Sequence, residues 1–393
     1  MQLRPTVAAA ACALAAASPA LAQKTDVQIT GHVYKPTPKK PTKEDVRALT
    51  LPDGFQIAPF AEDLENPRII AVADDGTVYV SQRRPGSLVM LRDTDGDGKA
   101  DTRKTVAEKK DLHGVAVRGD EVWFTTVKEV YVADRNEDGS LGEPRLIVDD
   151  LPDGGQHPNR TLAFGPDGKL YITVGSTCNA CAETSDESAT VLRAEPDGSG
   201  RTIFASGLRN TIGIDWHPKT GALYGLDHGI DWLGDDEQPE EFNRLEQGKK
   251  YGWPYVWGKG GINPQDEPPG TTNEAWAKES EEPVLLYTAH AAPMQLLFYD
   301  GGQFPDAYDG DAFATMRGSW NRKPPAGYEV VRIRFENGEP KAIEPFLAGF
   351  VRDAKDGGHV QLGRLTGLAA LPDGSLLVGD DENGVIYRVA AGK

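Results

Sequence analysis

Residues 162–172 read Leu162-Ala163-Phe164-Gly165-Pro166-Asp167-Gly168-Lys169-Leu170-Tyr171-Ile172, two apolar alternating stretches hinged on a Pro-Asp-Gly turn. Period-two alternation puts every second side chain on one face of a strand, and the glycine supplies the backbone freedom a tight reversal needs. The same phrase recurs at 69–80, 114–124, 214–224 and 368–378, with a further copy recognisable at Asp311-Ala312-Phe313-Ala314-Thr315-Met316. The turn glycines Gly76, Gly119, Gly168 and Gly221 are spaced 43, 49 and 53 residues apart, and Gly374 follows after a gap of 153. That last gap leaves room for two more units. A hairpin unit repeating at about 40–50 residues is the mark of a propeller. The spacing predicts an all-β fold, a six-bladed β-propeller of four-stranded antiparallel blades. A β-sandwich would not repeat so regularly, and a β-helix repeats at a much shorter period. Stretches with helical period are few.

The chain has 393 residues, 42 basic against 60 acidic, and a net charge of −18. Such an acidic balance disfavours a nucleic-acid partner, since phosphate binding needs surplus Lys and Arg. The glycine and proline content is turn-rich without being repetitive, which excludes collagen and coiled coil. Met1 to Ala22 carries Arg4, an Ala/Leu-rich run and the small-residue end Ala20-Leu21-Ala22. This reads as a cleaved secretory signal, too short in its apolar part for a comfortable membrane span. A periplasmic or secreted protein with no stable membrane span is expected. Residues 23–50 are polar and are expected to form a mobile arm; 51–393 form the propeller domain. Cys12 leaves with the signal, so Cys178 and Cys181 remain. In an oxidising compartment a lone close pair reads first as a local disulfide, with a redox or metal role as the alternative.

A propeller gathers loops of one face around its axis, so polar residues flanking the hairpins converge although distant in sequence. The third copy is preceded by His157-Pro158-Asn159-Arg160, the fourth by Arg209-Asn210. The fourth copy exits through Asp227-His228-Gly229-Ile230-Asp231 toward Asp235-Asp236. Arg317 and Arg322 follow the fifth, and Arg364 opens the sixth. Arg209, Arg317, Arg322 and Arg364 at blade corners of so acidic a chain point to a site for a carboxylate- or phosphate-bearing ligand. A neutral His157 at the same mouth would serve as a general base. The plainer alternative pairs these arginines with surface acids and makes His157 a turn cap.

The stretch Asn243-Arg244-Leu245 followed by Tyr251-Gly252-Trp253-Pro254, with His157, Arg209-Asn210, His228-Gly229 and Asp235-Asp236-Glu237 in this order, resembles the glucose/sorbosone dehydrogenase family, in its sorbosone-dehydrogenase-like branch. The resemblance covers roughly residues 50–390 and implies an exported six-bladed propeller using pyrroloquinoline quinone (PQQ) and Ca²⁺. It implies oxidation of a sugar or sugar aldehyde, with electrons passing on to an acceptor such as a quinone or cytochrome. By position, His157 matches the base and Arg209 the cation set against the quinone carbonyl. Asn210 and His228 fall among the cofactor contacts, and Arg317, Arg322 and Arg364 supply charge for the cofactor's carboxylates. Gly229 and Ile230 fall where the family offers carbonyls to Ca²⁺, with Asp235 or Asp236 near the acidic contact. Three positions depart from the family: Ser176 stands where an Asp orients the base, Ile230 where the family has Pro, and His113 is the nearest polar residue to a cofactor-contacting Gln.

A second metal signal is Asp93-Thr94-Asp95-Gly96-Asp97-Gly98-Lys99-Ala100-Asp101, with carboxylates at loop positions one, three, five and nine and glycine at six. This reads as a calcium loop that pins a hairpin, or as an acidic turn. Trp232, Trp253, Tyr255, Trp257, Trp276 and Trp320 gather around the longest insertion, placed at 231–283, either to stack on sugar or to fill blade interfaces. Two rivals to the dehydrogenase are a Ca²⁺-dependent hydrolase of the lactonase kind and a binding propeller without catalysis.

Overall fold

The computed structural model describes residues 28–355 and 357–392. The secretory signal expected at 1–22 lies outside them. Six sheets, each built on four antiparallel strands, follow one another along the chain, and the third carries a short parallel fifth strand, Lys249–Lys250. The first four begin with the inner strands Pro67–Val72, Gly114–Arg118, Arg160–Phe164 and Gly213–Trp216. The last two begin with Pro293–Phe298 and Leu365–Ala370. Each inner strand touches the next, and the sixth touches the first, so the blades close a ring. The quoted phrase folds as read: Leu162 pairs with Ile172 and Phe164 with Leu170 across the Pro-Asp-Gly turn.

Ring closure comes from a strand the repeat did not reveal. The outermost strand of blade six is Phe55–Ala61, from the other end of the chain, paired antiparallel with Val385–Ala391. The core consists of apolar layers between neighbouring blades. Tyr79, Leu88, Met90, Val122 and Phe124 form one such layer between blades one and two. Blade four takes Glu240–Leu245 as its third strand and Leu285–Tyr287 as its fourth. The insertion expected at 231–283 therefore starts later, after Leu245, because Asn243-Arg244-Leu245 belongs to the sheet. Among the described residues no helix is long and apolar enough to cross a membrane.

The mobile arm is corrected, for the residues described. Thr37–Pro38 pairs in parallel with Val360–Gln361. A short helix, Lys43–Arg47, is capped by Thr42 and tied to Arg352 through Asp45. His32 bonds Asp235 through both backbone and ring. The polar composition that suggested mobility instead supplies partners for the blade surface.

Candidate cofactor and catalytic site

Antiparallel pairing fixes where the site lies. The start of each blade's first strand and the end of its second lie at one face of the ring. His157, Arg209, Arg364 and Arg68 stand at first-strand starts. Ser176, His228, Arg317 and Asp381 stand just past second-strand ends. Blades one, three, four, five and six thus all contribute to one mouth.

His157 is half-buried, and its Nδ1 lies 2.8 Å from Ser176 Oγ and 3.1 Å from the Ser176 carbonyl oxygen. Ser176 spends its own hydroxyl proton on the Cys178 carbonyl at 2.6 Å. Both groups facing Nδ1 therefore act as acceptors, which assigns the proton to Nδ1 and leaves Nε2 with a free lone pair. Among the described residues Nε2 has no hydrogen-bond partner. Burial, then the positive charge of Arg209, hold the imidazole neutral, with its pKa pushed down to about 2. Arg160, fully buried, supports the same loop by donating to the carbonyls of His157, Pro152, Asp153 and Val127. Gly175 is glycine for a steric reason: a Cβ there would sit 2.6 Å from His157 Cβ and 2.8 Å from Asn210 Oδ1. Gly175→Ala is expected to displace the base and lower kcat by about a hundredfold, read by steady-state kinetics of cofactor-loaded enzyme at a temperature well below the variant's own melting transition.

The arginines share a pattern. Arg209 donates from Nε to the Asn179 carbonyl (3.0 Å) and from Nη2 to Asn179 Oδ1 (2.8 Å) and Asp231 (2.9 Å). Arg317 donates from Nε and Nη2 to Asp381. Arg364 donates from Nε and Nη2 to the carbonyls of Arg317 and Gly318. Each has two nitrogens locked, and among the described residues each Nη1 is left without a partner. Arg322 differs. All three of its nitrogens are occupied, by Pro324, Ala289 and Asp236. Only the second N–H of Nη1 and of Nη2 remains on it to offer a ligand.

Charge at the mouth is in surplus. Asp381 is held below the usual carboxylate range, against its own burial, by Arg317, Arg68 and Arg364. Arg68 bonds Asp381 at 2.6 Å, and its Nε is buried without a partner. Burial pulls Arg68 down to about 10, with Arg317's like charge adding to the effect. Arg364 is lowered by burial and then by Arg317. Three guanidiniums face Asp381, and Asp380 beside it is pushed up to about 6 by burial. An anion at the mouth would relieve this repulsion.

Asn210 donates its backbone N–H to Asp227, which also receives the Arg209 N–H and the Thr211 hydroxyl. His228 donates Nε2 to the Pro293 carbonyl, and burial lowers it to about 3. At the expected metal position, Gly229 N and Ile230 N donate to Glu240 and Gln238. Among the described residues the carbonyl oxygens of Gly229 and Ile230 have no hydrogen-bonded partner, which suits a hard cation. Of the two acids expected near them, Asp235 is bonded to His32, and Asp236 pairs with Arg322. In the second calcium reading Asp93, Asp95 and Asp101 converge, while Asp97 stands outside that group and caps Lys99 N. The loop lies between the third and fourth strands of blade one, on the face away from the mouth.

Cys178 and Cys181 are disulfide-bonded, which takes both thiols out of metal chemistry. The aromatic cluster splits. Trp253 is buried and donates to the Asn179 carbonyl, whereas Trp232 is 48% exposed and edge-stacked on Trp320. Sequence reasoning missed Arg68, Asp381, Asn179 and Asp231. Arg68 carried a usable signal, since it opens blade one as Arg364 opens blade six.

Fold and mouth together define a class: a six-bladed propeller with a surplus-cationic opening next to a neutral imidazole. The chain belongs to the TrAA12-like family, whose pattern matches residues 49–392. It is 28% identical over 368 residues to an uncharacterized protein of Borreliella burgdorferi, covering 88% of this chain and 92% of that one. It is 23% identical over 341 residues to a pyrroloquinoline quinone-dependent sugar dehydrogenase of Hypocrea jecorina, covering 73% and 76%. In structure it is similar to the holo form of the pyranose dehydrogenase PQQ domain of Coprinopsis cinerea. That match has a TM-score of 0.75 and 20% identity, and covers 91% of this chain and 100% of that domain.

Proposed function

We propose that the protein is an exported PQQ- and Ca²⁺-dependent dehydrogenase that oxidises a sugar or sugar aldehyde. The observation that carries this reading is the trio Arg209, Arg317 and Arg364, each braced through two nitrogens with Nη1 unpartnered, at the same mouth as an imidazole whose Nε2 is unprotonated. The relatives' names support the substrate class and the cofactor.

The residues fit a planar polycarboxylate quinone. Arg317 and Arg364, with Arg68 behind them, would bind its carboxylates, and Arg209 with Asn210 would face its reacting edge. The Gly229 and Ile230 carbonyls would hold Ca²⁺. When bound, PQQ supplies the electrophile that accepts hydride from the sugar carbon. The rest of the chemistry belongs to the chain. His157 Nε2 accepts the proton of the sugar hydroxyl as the hydride leaves. Ser176 fixes the tautomer that makes this possible, although a hydroxyl stabilises the resulting imidazolium less than a carboxylate would. Arg209, immobilised by Asn179 and Asp231, opposes the negative charge that develops, without reorganising.

A lactonase would need an open carboxylate at the axis. Asp227 has its oxygens occupied by two backbone N–H groups and a hydroxyl, which favours the dehydrogenase over the hydrolase. The test is reconstitution of purified apoprotein with PQQ and Ca²⁺, followed by dye reduction across aldoses, sorbosone, ketoses and alcohols. Activity with sugars supports the reading. Lactone opening without PQQ, or saturable sugar binding without turnover, would replace it.

Two further outcomes are expected. Falling pH protonates His157 and removes activity. Because its folded pKa is depressed, the acid limb of kcat/KM falls below the ordinary histidine value of about 6.5, even with the cofactor's negative charge offsetting part of Arg209's effect. An apparent pKa at or above that value would contradict the base assignment. For the loop 93–101 we propose a structural Ca²⁺. Ala100 N in this loop donates to Phe60 of the ring-closing strand, so chelation is expected to lower the melting temperature by about 2 °C or more. Asp93→Ala should remove this dependence.

A further inference from the structure

We propose that the Cys178–Cys181 loop positions both catalytic side chains, with Asn179 as its working residue and the disulfide as its lock. The proposal rests on the roles given above to His157 and Arg209.

The loop touches both residues' supports at once. The Cys178 carbonyl takes the Ser176 proton at 2.6 Å, which turns the Ser176 lone pairs toward His157 Nδ1. One residue on, the Asn179 carbonyl accepts from Arg209 Nε at 3.0 Å and from Trp253 Nε1 at 3.1 Å. Its Oδ1 accepts from Arg209 Nη2 at 2.8 Å and from Asp231 N at 2.9 Å. Its Nδ2 donates to the Asp231 carbonyl at 3.2 Å. Asn179 thus holds two of the three guanidinium nitrogens of Arg209 and also fixes Asp231, the carboxylate paired with it. Cys178 and Ala180 pack against Ile230, Leu233 and Trp253, which seats the loop against the blade-four exit.

The bridge joins residues only three apart in sequence. A cross-link this short constrains little of the unfolded chain, so its main effect is local. It fixes the direction of the two carbonyls, at 178 and 179, on which the serine and the arginine depend. Both cysteines are half-buried, within reach of a small reductant. Neither residue contacts the reacting atoms; both act through Ser176, His157 and Arg209.

The test uses the full chain. A phosphine reductant cleaves the S–S bond to two thiols and is itself oxidised to the phosphine oxide, with water supplying the oxygen. In PQQ-loaded enzyme, reduction is expected to lower kcat by about a hundredfold while KM changes by less than about threefold. Re-oxidation restores kcat, the melting curve staying in place throughout. Asn179→Ala gives the same loss with the bridge intact, and Cys178→Ser with Cys181→Ser reproduces the reduced state. A second readout needs neither cofactor nor substrate. In ¹⁵N-histidine-labelled protein, His157 (identified by its absence in His157→Gln) shows the Nδ1–H tautomer when oxidised and mixed tautomers when reduced. Unchanged kcat and unchanged tautomer after reduction overturn the proposal. If oxidised, PQQ-loaded enzyme turns over no sugar, the dehydrogenase reading fails, and the nitrogen spectra alone decide the role of the loop.

Discussion

Alanine in place of His157 is expected to lower kcat by about a thousandfold, within the range that a positioned general base supplies, while PQQ binds within about threefold of the parent affinity. Two observations set this expectation. The Nδ1 side of the ring is committed to Ser176, so Nε2 is the atom available for chemistry. The ring carries no charge near neutral pH, because burial and Arg209 disfavour the imidazolium. Losing it therefore removes a base and leaves the cation count at the mouth unchanged. That separates its effect from one on cofactor binding. Single-turnover reduction of the bound cofactor by sugar isolates the step from electron acceptance. A variant retaining more than a tenth of the parent rate would assign the base elsewhere.

Arg317→Ala is expected to weaken PQQ binding by about thirtyfold, the value of one charge-assisted pair, with little change in kcat at saturating cofactor. The fold should tolerate the change. Arg68 bonds Asp381 independently, so removing Arg317 does not strand a buried carboxylate. The loss should shrink as salt rises, because a screened charge contributes less in the parent as well. Arg145→Ala is the control, since it removes an exposed arginine paired with Asp134 and Glu121 far from the mouth. Calorimetry on the three proteins at two ionic strengths decides the matter. Equal affinities for parent and Arg317→Ala would remove the arginine from the cofactor's site.

The parts of this molecule that could be read from sequence are those set by local physics. Alternation and turn chemistry are written within a dozen residues, so Leu162–Ile172 announces its hairpin and the repeat announces the ring. His157, Arg209 and Arg364 could be found because blade corners occur at predictable offsets from those hairpins. What stayed hidden depends on partners distant in sequence. Arg68 and Asp381 are 313 positions apart, and neither residue's neighbours hint at the other. Arg322 looked equivalent to Arg317, since both follow the fifth hairpin. Only the folded loop shows that Pro324, Ala289 and Asp236 occupy its nitrogens. Asp235 and Asp236 read as metal ligands in an acidic run, and their pairing with His32 and Arg322 could not be read from that run. The closing strand Phe55–Ala61 lacks the repeated phrase, because its partner strands lie at the other terminus. Ser176 reads as a loss in sequence. In the structure it still fixes the imidazole tautomer, with a loop carbonyl directing its hydroxyl.

The most direct measurement is a calorimetric titration of PQQ into purified apoprotein with Ca²⁺ present. One saturable site per chain, weakened by salt and by Arg317→Ala, is the outcome expected of a mouth built from Arg209, Arg317 and Arg364. Absence of saturable heat, or binding indifferent to both salt and that substitution, would contradict it.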